Sequence, residues 1–590
     1  MRRINKAGGI AIVAIATLAV RAGAQITTRV SVASDGTEAD LRTFEASISG
    51  DGRCVVFVSD ATNLVTGDTN NTADVFVHDR QTGVTERVSV SSSEAQANGR
   101  SNWAAISEDG NFVVFTSSAS NLVAGDTNFV GDVFVRDRVL GLTERVSVGA
   151  GGVEANAVCG GSQNAISADG RFVAFPGAAT NLVAGDTNGV DEVFLRDRLA
   201  GTTERISLDS GGGQANGHST GPSLSADGRF VAFRSIASNL VAGDTNGLYD
   251  AFVKDRTTGA VTRVSVSTAG TQANGSTGST AISSDGSTVA FQSFASNLVP
   301  GDTNAEGDVF VRALAASTTE RASVSSAGVQ GDDSSSLPSL SATGRFVAFS
   351  SGATTLIPDD VSFGFDVFVR DRLAGTTELV SADMRDRLAD DESSTSAQAI
   401  SSDGRYVAMH SRASNLVPED LNFEEDAFVR DRLPCASGNV NAVPGPVTDV
   451  LFVNDEARAA FVPRRQPIDI DLLAAPSGPN PADYVVYLTL GGRTGAFGLT
   501  IGGDEIGCTV NPTPFDPGLS PQPFKCLKGG FGPEYAGSVK VMNISPASAP
   551  WSRSKPGFGR PIVLTLQGVI EDASSPSGKS VTNAVTLEVF

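Results

Sequence analysis

Between Ala24 and Pro434 short apolar runs alternate with polar turns in one phrase that returns, with variations, seven times. It reads Ser-x-Asp-Gly-Arg-Phe-Val-Ala-Phe, then Asn-Leu-Val-x-Gly-Asp-Thr-Asn, then Asp-Val-Phe-Val-Arg-Asp. Its glycine falls at Gly52, Gly110, Gly170, Gly228, Gly286, Gly344 and Gly404, a spacing of 58 or 60 residues. In the second repeat the pattern predicts four strands, A to D, over 103–107, 112–117, 132–137 and 142–148. The A–B connection is Glu108-Asp109-Gly110-Asn111, where a glycine free to take positive φ follows a turn-capping aspartate. The C–D connection carries Gly141, and its counterpart in the first repeat is Gln81-Thr82-Gly83. Strand B is apolar at consecutive positions, as in Phe172-Val173-Ala174-Phe175, so both its faces require burial between neighbouring sheets.

Self-similarity at this period means an array of one supersecondary unit, and four-stranded antiparallel units repeated radially make a β-propeller. The strand count adds an offset. Seven A–B–C sets are present, but the seventh, ending at 426–431, runs into Leu433-Pro434-Cys435 where its D strand belongs. The missing strand stands at the other end, where Thr27-Thr28-Arg29-Val30-Ser31-Val32 matches Thr85-Glu86-Arg87-Val88-Ser89-Val90. The expectation is an all-β chain: a seven-bladed β-propeller over 25–434, closed by its N-terminal strand. Closure removes the exposed sheet edges an open array would leave.

The repeated Ser-x-Asp-Gly-Arg-x-Val-Ala-Phe phrase with its downstream Asp-Val-Phe-Val-Arg-Asp resembles the TolB-like propeller family, also described as WD40-like or PD40 repeats. The resemblance covers Gln25 to Pro434 and implies a scaffold. Propellers of this kind serve binding, enzyme gating and scaffolding, so the function has to be argued from sites.

Outside the repeat, Met1 to Ala24 has the three parts of a secretory signal peptide. Arg2, Arg3 and Lys6 precede an apolar run from Ile10 to Val20, and Ala22-Gly23-Ala24 follows. The run is too short for a membrane span, so an exported protein, periplasmic or extracellular, is expected. After Pro434 the composition shifts: 435–446 reads as a Gly/Asn/Pro linker, and 447–590 as apolar β segments forming a small β-sandwich-like domain. Of five cysteines, Cys508 and Cys526 bracket a Pro-rich loop and are the expected disulfide. Cys54 takes the strand-B slot of Phe172 and reads as core, while Cys159 and Cys435 sit in connections. None has zinc-ligand spacing to a partner.

The chain carries 44 basic and 66 acidic residues, net −22, and loss of the signal would make it more acidic still. That charge argues against nucleic acid and anionic membranes, and fits cations, basic partners or plain solubility. The three histidines, His78, His218 and His410, are each one-off departures from the repeat and read as structural. No Gly-x-Ser-x-Gly elbow occurs.

The constellation with chemical potential is the B–C loop, Asp-x-Asn-x-x-x-Asp. It stands as Asp68/Asn70/Asp74, Asp126/Asn128/Asp132, Asp244/Asn246/Asp250 and Asp302/Asn304/Asp308. Variants are Asp186/Asn188/Glu192, Asp360/Ser362/Asp366 and Asp420/Asn422/Asp426. Oxygen donors so spaced suit a hard cation such as calcium. The fit to an EF-hand is partial, because Asp137, at the twelfth position, lies beyond a strand rising ~3.3 Å per residue. The structural alternative is that Asp and Asn make side-chain-to-backbone turns and the last Asp caps strand C.

Propeller topology puts B–C and D–A loops on one face. The D–A loops vary most, as in Gln96-Ala97-Asn98-Gly99, Ala155-Asn156-Ala157-Val158 and Gln330-Gly331-Asp332-Asp333, and variable loops on a rigid ring are where binding resides. Only Trp103 and Trp551 are available as large sugar-stacking platforms, so a lectin reading lacks its usual aromatic signature and is not favoured. Two readings follow: a non-catalytic exported scaffold binding a protein, glycan or cation on this face, or an extracellular carbohydrate- or peptide-active enzyme with channel carboxylates. The second requires acids from different blades to converge within about 5–10 Å.

Overall fold

The computed structural model describes residues 25–432 apart from 359, 361–363, 384–385 and 419, together with the backbone of short strands between 486 and 589. The expected signal peptide, the linker and Cys435 lie outside the described residues. Two compact units divide near residue 438.

The first unit is seven four-stranded antiparallel sheets, each ordered A-B-C-D: a seven-bladed propeller with almost no helix. Blade I is Thr43–Ile48, Cys54–Ser59, Asp74–Asp79 and Val84–Arg87; blade II is Ser101–Ile106, Phe112–Ser117, Asp132–Asp137 and Leu142–Arg145. Blade VII comprises Ser393–Ser394, Tyr406–Ser411 and Asp426–Asp431, and Ile26–Arg29 pairs with the last of these from Ile26↔Asp431 to Arg29↔Phe428.

Strands B and C match the sequence pattern in blade II, whereas strand A begins earlier and strand D stops at Arg145, before the expected 148. The shortening has a chemical cause. Ser147 Oγ accepts the Val133 N–H at 3.1 Å in place of a ladder carbonyl and donates to Asp132 Oδ1 at 2.5 Å. The side chain ends the strand by taking over its hydrogen bond.

Each hydrophobic cluster spans two neighbouring blades. Val56, Val75 and Val77 of blade I pack with Phe115 of blade II, and Val30, Ala46, Phe57 and Val429 join blade VII to blade I in the same way. The repeat glycine serves this packing twice. Gly110 has φ +73, and a Cβ there would lie 3.1 Å from Cys54 Sγ of the preceding blade; at Gly52 (φ +76) it would meet the Tyr406 ring at 2.1 Å. Only glycine combines that backbone with that approach. The Glu of each Thr-Glu-Arg run reaches the next blade: Glu86 accepts from Arg138 at 2.6 Å and Glu144 from Arg198 at 2.5 Å.

In the second unit the backbone forms one four-stranded and two three-stranded antiparallel sheets. Strand Asp504–Thr509 pairs with Lys525–Cys526, setting Cys508 opposite Cys526.

Candidate functional site

The B–C loops lie beside the following D strand and D–A loop, and their acids meet a cation the chain itself supplies. In blade I, Arg87 lies 3.2 Å from Asp68 and 3.5 Å from Asp74, and Gln96 Nε2 donates to both carboxylates at 2.7 and 3.0 Å. Asn70 accepts the Thr72 N–H at 3.1 Å and donates to Asp74 at 3.0 Å and to the Ala97 carbonyl at 2.9 Å. Asp74, fully buried, places its other oxygen on Ser89 Oγ at 2.5 Å. All three oxygen-bearing positions thus serve one buried network. Arg205, Arg263 and Arg321 repeat it around the acid pairs Asp186 and Glu192, Asp244 and Asp250, and Asp302 and Asp308. Burial raises Asp308 to about 6 and Glu192 to about 7, against the pull of their arginines. In blade VI, Leu379 and Leu388 stand where other blades have Arg and Gln; Asp366 keeps its serine, Ser381, at 2.7 Å, and Ser362 lies outside the described residues.

The asparagines of these loops are each hydrogen-bonded within the protein. Asn128 accepts the Val130 N–H at 3.1 Å and donates to Asp132 at 2.8 Å and to the Ala155 carbonyl at 3.1 Å. Asn188 accepts from Val190 at 3.3 Å and donates to Glu192 at 3.3 Å and to Ala215 at 2.7 Å. Asn246 accepts from Leu248 at 2.9 Å and donates to Asp250 and to Ala273, both at 3.1 Å. Asn304 accepts from Glu306 at 3.2 Å and donates to the Gly331 carbonyl at 2.9 Å. Asn422 accepts from Glu424 at 2.9 Å and donates to Asp426 and to Ala39, both at 3.0 Å. The backbone N–H two residues on fixes which end of each amide is oxygen and engages that oxygen in the loop's own turn. The nitrogen that remains carries partial positive charge and, in all but Asn304, meets the carboxylate a cation would need. Asn70, Asn128, Asn188, Asn246, Asn304 and Asn422 thus form turns and donate within the protein; the D–A loop carbonyls that hold them were out of reach of a local reading.

Two blades differ. Glutamate replaces the bridging glutamine, so Asp126, Asp132 and Glu154 form one group and Glu38, Asp420 and Asp426 another, with carboxylate oxygens all within 4.8 Å. Three acids face one arginine, Arg145 or Arg29. Burial raises Asp126 to about 6 against the pull of Arg145, and Asp420 to about 6 against Arg29. Burial also works on Glu154, but hydrogen bonds from Thr127 and Arg145 hold it at about 2.

The D–A loops are more constrained than their sequences suggest. Asn98 accepts the Ser120 N–H at 2.9 Å and gives its own N–H to Asn121 at 3.0 Å, and Asn156, Asn216 and Asn274 repeat that clamp. Asp40, Asp332 and Asp390 occupy the same place in the other blades. The exposed positions lie at the tips of the B–C loops. There a left-handed residue follows the asparagine: Asn71, Gly189, Gly247 and Ala305 in four blades, Phe129 and Phe423 in two. Phe129 (φ +56) is 92 % exposed and Phe423 (φ +58) is 84 % exposed. Left-handed backbone is strained for a bulky residue, and neither ring buries its surface in return.

Strand A lines the central channel. Toward the A–B end each blade contributes one aliphatic residue, from Ile48 to Ile400, and backbone bonds pass from blade to blade. Ser402 N–H binds the Gly50 carbonyl at 2.9 Å, joining blade VII to blade I, and Gly50 binds Glu108 at 2.8 Å. Glu108, which also accepts from Ser402 Oγ at 2.5 Å, is the one acid among the described residues lining the cavity. Gln163, Asn164 and Gln398 also line it.

Toward the loop-bearing face strand A bulges, with register shifts between Phe44/Ala46, Asn102/Ala105, Thr220/Ser223, Thr277/Thr280 and Ser336/Ser339. Glu45 (φ +54), Trp103 (φ +53), Gly221 (φ +63) and Leu337 (φ +51) take left-handed backbone there. Bulges re-aim side chains and recur beside functional sites. Sequence reasoning passed over this position. Its signal was available: seven residues before the repeat glycine the chain reads Glu, Trp, Gln, Gly, Ser, Leu and Ala in turn. The Glu45 carboxylate accepts the Trp103 N–H at 2.8 Å, and burial pushes its carboxyl up. His410 lies 2.5 Å from Glu425; burial would raise that carboxyl, but the histidine holds it down.

The remaining singled-out side chains sit in the framework. His78 is buried against Thr85 Oγ1 (2.9 Å), with burial lowering it to about 4, and His218 meets Asp191 at 3.1 Å on the surface. Cys54 and Cys159 are buried free thiols, and burial pushes both up.

No family model and no curated protein matches the chain. Among solved structures it is similar to a putative TolB from Agrobacterium tumefaciens, at 17 % identity over 59 % of this chain and 93 % of that one (TM-score 0.33). It is also similar to an oligogalacturonate lyase in complex with manganese, at 12 % over 70 % and 94 % (TM-score 0.43). A third is the hydrazine synthase of Kuenenia stuttgartiensis, at 14 % over 64 % and 94 % (TM-score 0.33).

Proposed function

We propose that this TolB-like seven-bladed β-propeller is an exported, non-catalytic scaffold that holds a protein, glycan or cation partner on its loop-bearing face. The observation that carries the reading is the pair of exposed, left-handed phenylalanines. Phe129 and Phe423 occupy a position that glycine fills in blades III and IV, so the ring forms without an aromatic there. A strained aromatic presented to solvent on a rigid loop is the form a binding anchor takes. The N-terminal strand is the latch that keeps the ring closed, and the C-terminal module is its adaptor. Calcium is proposed at two loops, Asp126/Asp132/Glu154 and Glu38/Asp420/Asp426, where three acids outnumber one arginine. The carboxylates would hold it there, without Asn128 or Asn422.

The test is capture of partners from the envelope and medium of the source organism, using the intact mature chain and the Phe129→Gly/Phe423→Gly variant. Retention of a specific partner by the first and its loss by the second, with unchanged folding, supports the reading. Identical capture by both removes the phenylalanines from the interface.

A further inference from the structure

We infer that the polar upper part of the channel is a binding site for a neutral, hydroxyl-rich ligand, a saccharide, recognised by strand-A side chains of several blades. The inference rests on the loop-bearing face being the binding face and names what its centre takes.

Six to eight residues before the repeat glycine, in or beside strand A, four buried side-chain atoms have no hydrogen-bond partner within the protein: Ser162 Oγ and Asn164 Oδ1 in blade III, Ser279 Oγ in blade V and Gln398 Oε1 in blade VII. Buried polar atoms in folded proteins are paired, so a group of orphans in one place calls for an explanation. These come from three non-adjacent blades and fall in the same segment of the repeat, beside the bulge. Asn164 is 2 % exposed, and its amide nitrogen is fixed by the Trp103 carbonyl and Thr116 Oγ1, both at 2.9 Å. Its oxygen is therefore held in place at the channel wall, as Gln398 also lines the channel.

The chemistry of these atoms selects the ligand. Two are amide carbonyls that can only accept, and two are hydroxyls that donate or accept. No lysine or arginine is among the described residues that line the channel with Asn164 and Gln398, and the carboxylate beside Trp103, that of Glu45, disfavours an anion. A neutral ligand rich in O–H groups satisfies carbonyls and hydroxyls together. Beside these atoms stands the one described tryptophan, Trp103, 38 % exposed and in left-handed backbone between the Glu45 carboxylate and the Asn164 amide. An indole face packs against the C–H face of a sugar ring, which a peptide lacks.

The test titrates the full mature chain with cellobiose, maltose and chitobiose, with digalacturonate and triglycine as the anionic and peptide arms, read by saturation-transfer NMR and tryptophan emission. At least one neutral disaccharide is expected to bind saturably. Gln398→Met, which removes one orphan acceptor at similar volume, should weaken it roughly 3- to 10-fold. The same variant should not lower the melting temperature without sugar, because no hydrogen bond inside the protein is lost. Trp103→Ala should weaken binding at least as much. Saturable binding by none of the three sugars, affinity unchanged in both variants, or preference for triglycine or digalacturonate overturns the inference. Partner capture through Phe129 and Phe423 is read separately, so either proposal can fail alone.

Discussion

Replacing Ser31 by alanine tests whether the N-terminal strand completes the ring, and Ser147→Ala supplies the scale. Ser31 Oγ donates to Asp426 Oδ1 at 2.5 Å and accepts the Ala427 N–H at 3.1 Å; Ser147 does the same for Asp132 and Val133 at 2.5 and 3.1 Å. Both serines and both aspartates are fully buried. Each alanine orphans one carboxylate oxygen and one amide. An unsatisfied buried group costs about 1–3 kcal/mol, and more when charged, so each substitution should cost roughly 2–5 kcal/mol. In a cooperative unit of several hundred residues a kilocalorie moves the midpoint by roughly 1–2 °C, which gives a fall of about 2–10 °C. Scanning calorimetry of both variants beside the parent measures it. If Ser147→Ala falls and Ser31→Ala does not, the N-terminal strand is undocked in solution and the closed ring is refuted.

Deleting residues 25–33 should do more than either substitution, because Val30 leaves its core and Arg430, 1 % exposed, loses its bonds to Gln25 and Thr27; aggregation on mild heating is the expected result. Millimolar calcium should raise the melting temperature and chelator lower it, by about 1.4 kcal/mol at ten times Kd, with Asp126→Asn/Asp132→Asn removing about one site's share; superimposable curves would leave these loops as structure only. Asp126 is raised to about 6 by burial, so the folded state holds its proton more tightly than the unfolded chain. Its contribution is present at low pH and lost as pH rises from about 4 through about 6, so in chelator the parent should lose stability relative to Asp126→Asn over that window. A disulfide between Cys508 and Cys526, adjacent in strand register, should contribute roughly 3 kcal/mol, and finding both thiols free by non-reducing peptide mapping rejects it.

What the sequence determined by itself was local and repeated. The turn glycine, the apolar run of strand B and the aspartates flanking strand C are set by residues a few positions apart, and they specified blade number and strand order. The acid-rich loops were legible as a pattern but not as a network. Asp68 and Asp74 lie 19 and 13 residues before Arg87, and only the return of strand D beside strand C brings that guanidinium to them. The partners of Asn128 and Asn246 were hidden for the same reason: the Ala155 and Ala273 carbonyls that take their amide hydrogens lie 27 residues on. The same folding distinguishes Glu154 from Gln96, a difference of one acid that becomes a three-carboxylate cluster only when the D–A loop is clamped over the B–C loop. The channel was beyond local reading altogether. Asn164 and Gln398 are more than two hundred residues apart in sequence, and both line one channel because strand A of every blade faces the ring axis. Hydrogen bonds along a strand follow from neighbours in the chain, whereas the meeting of unlike side chains across a ring follows from closing it.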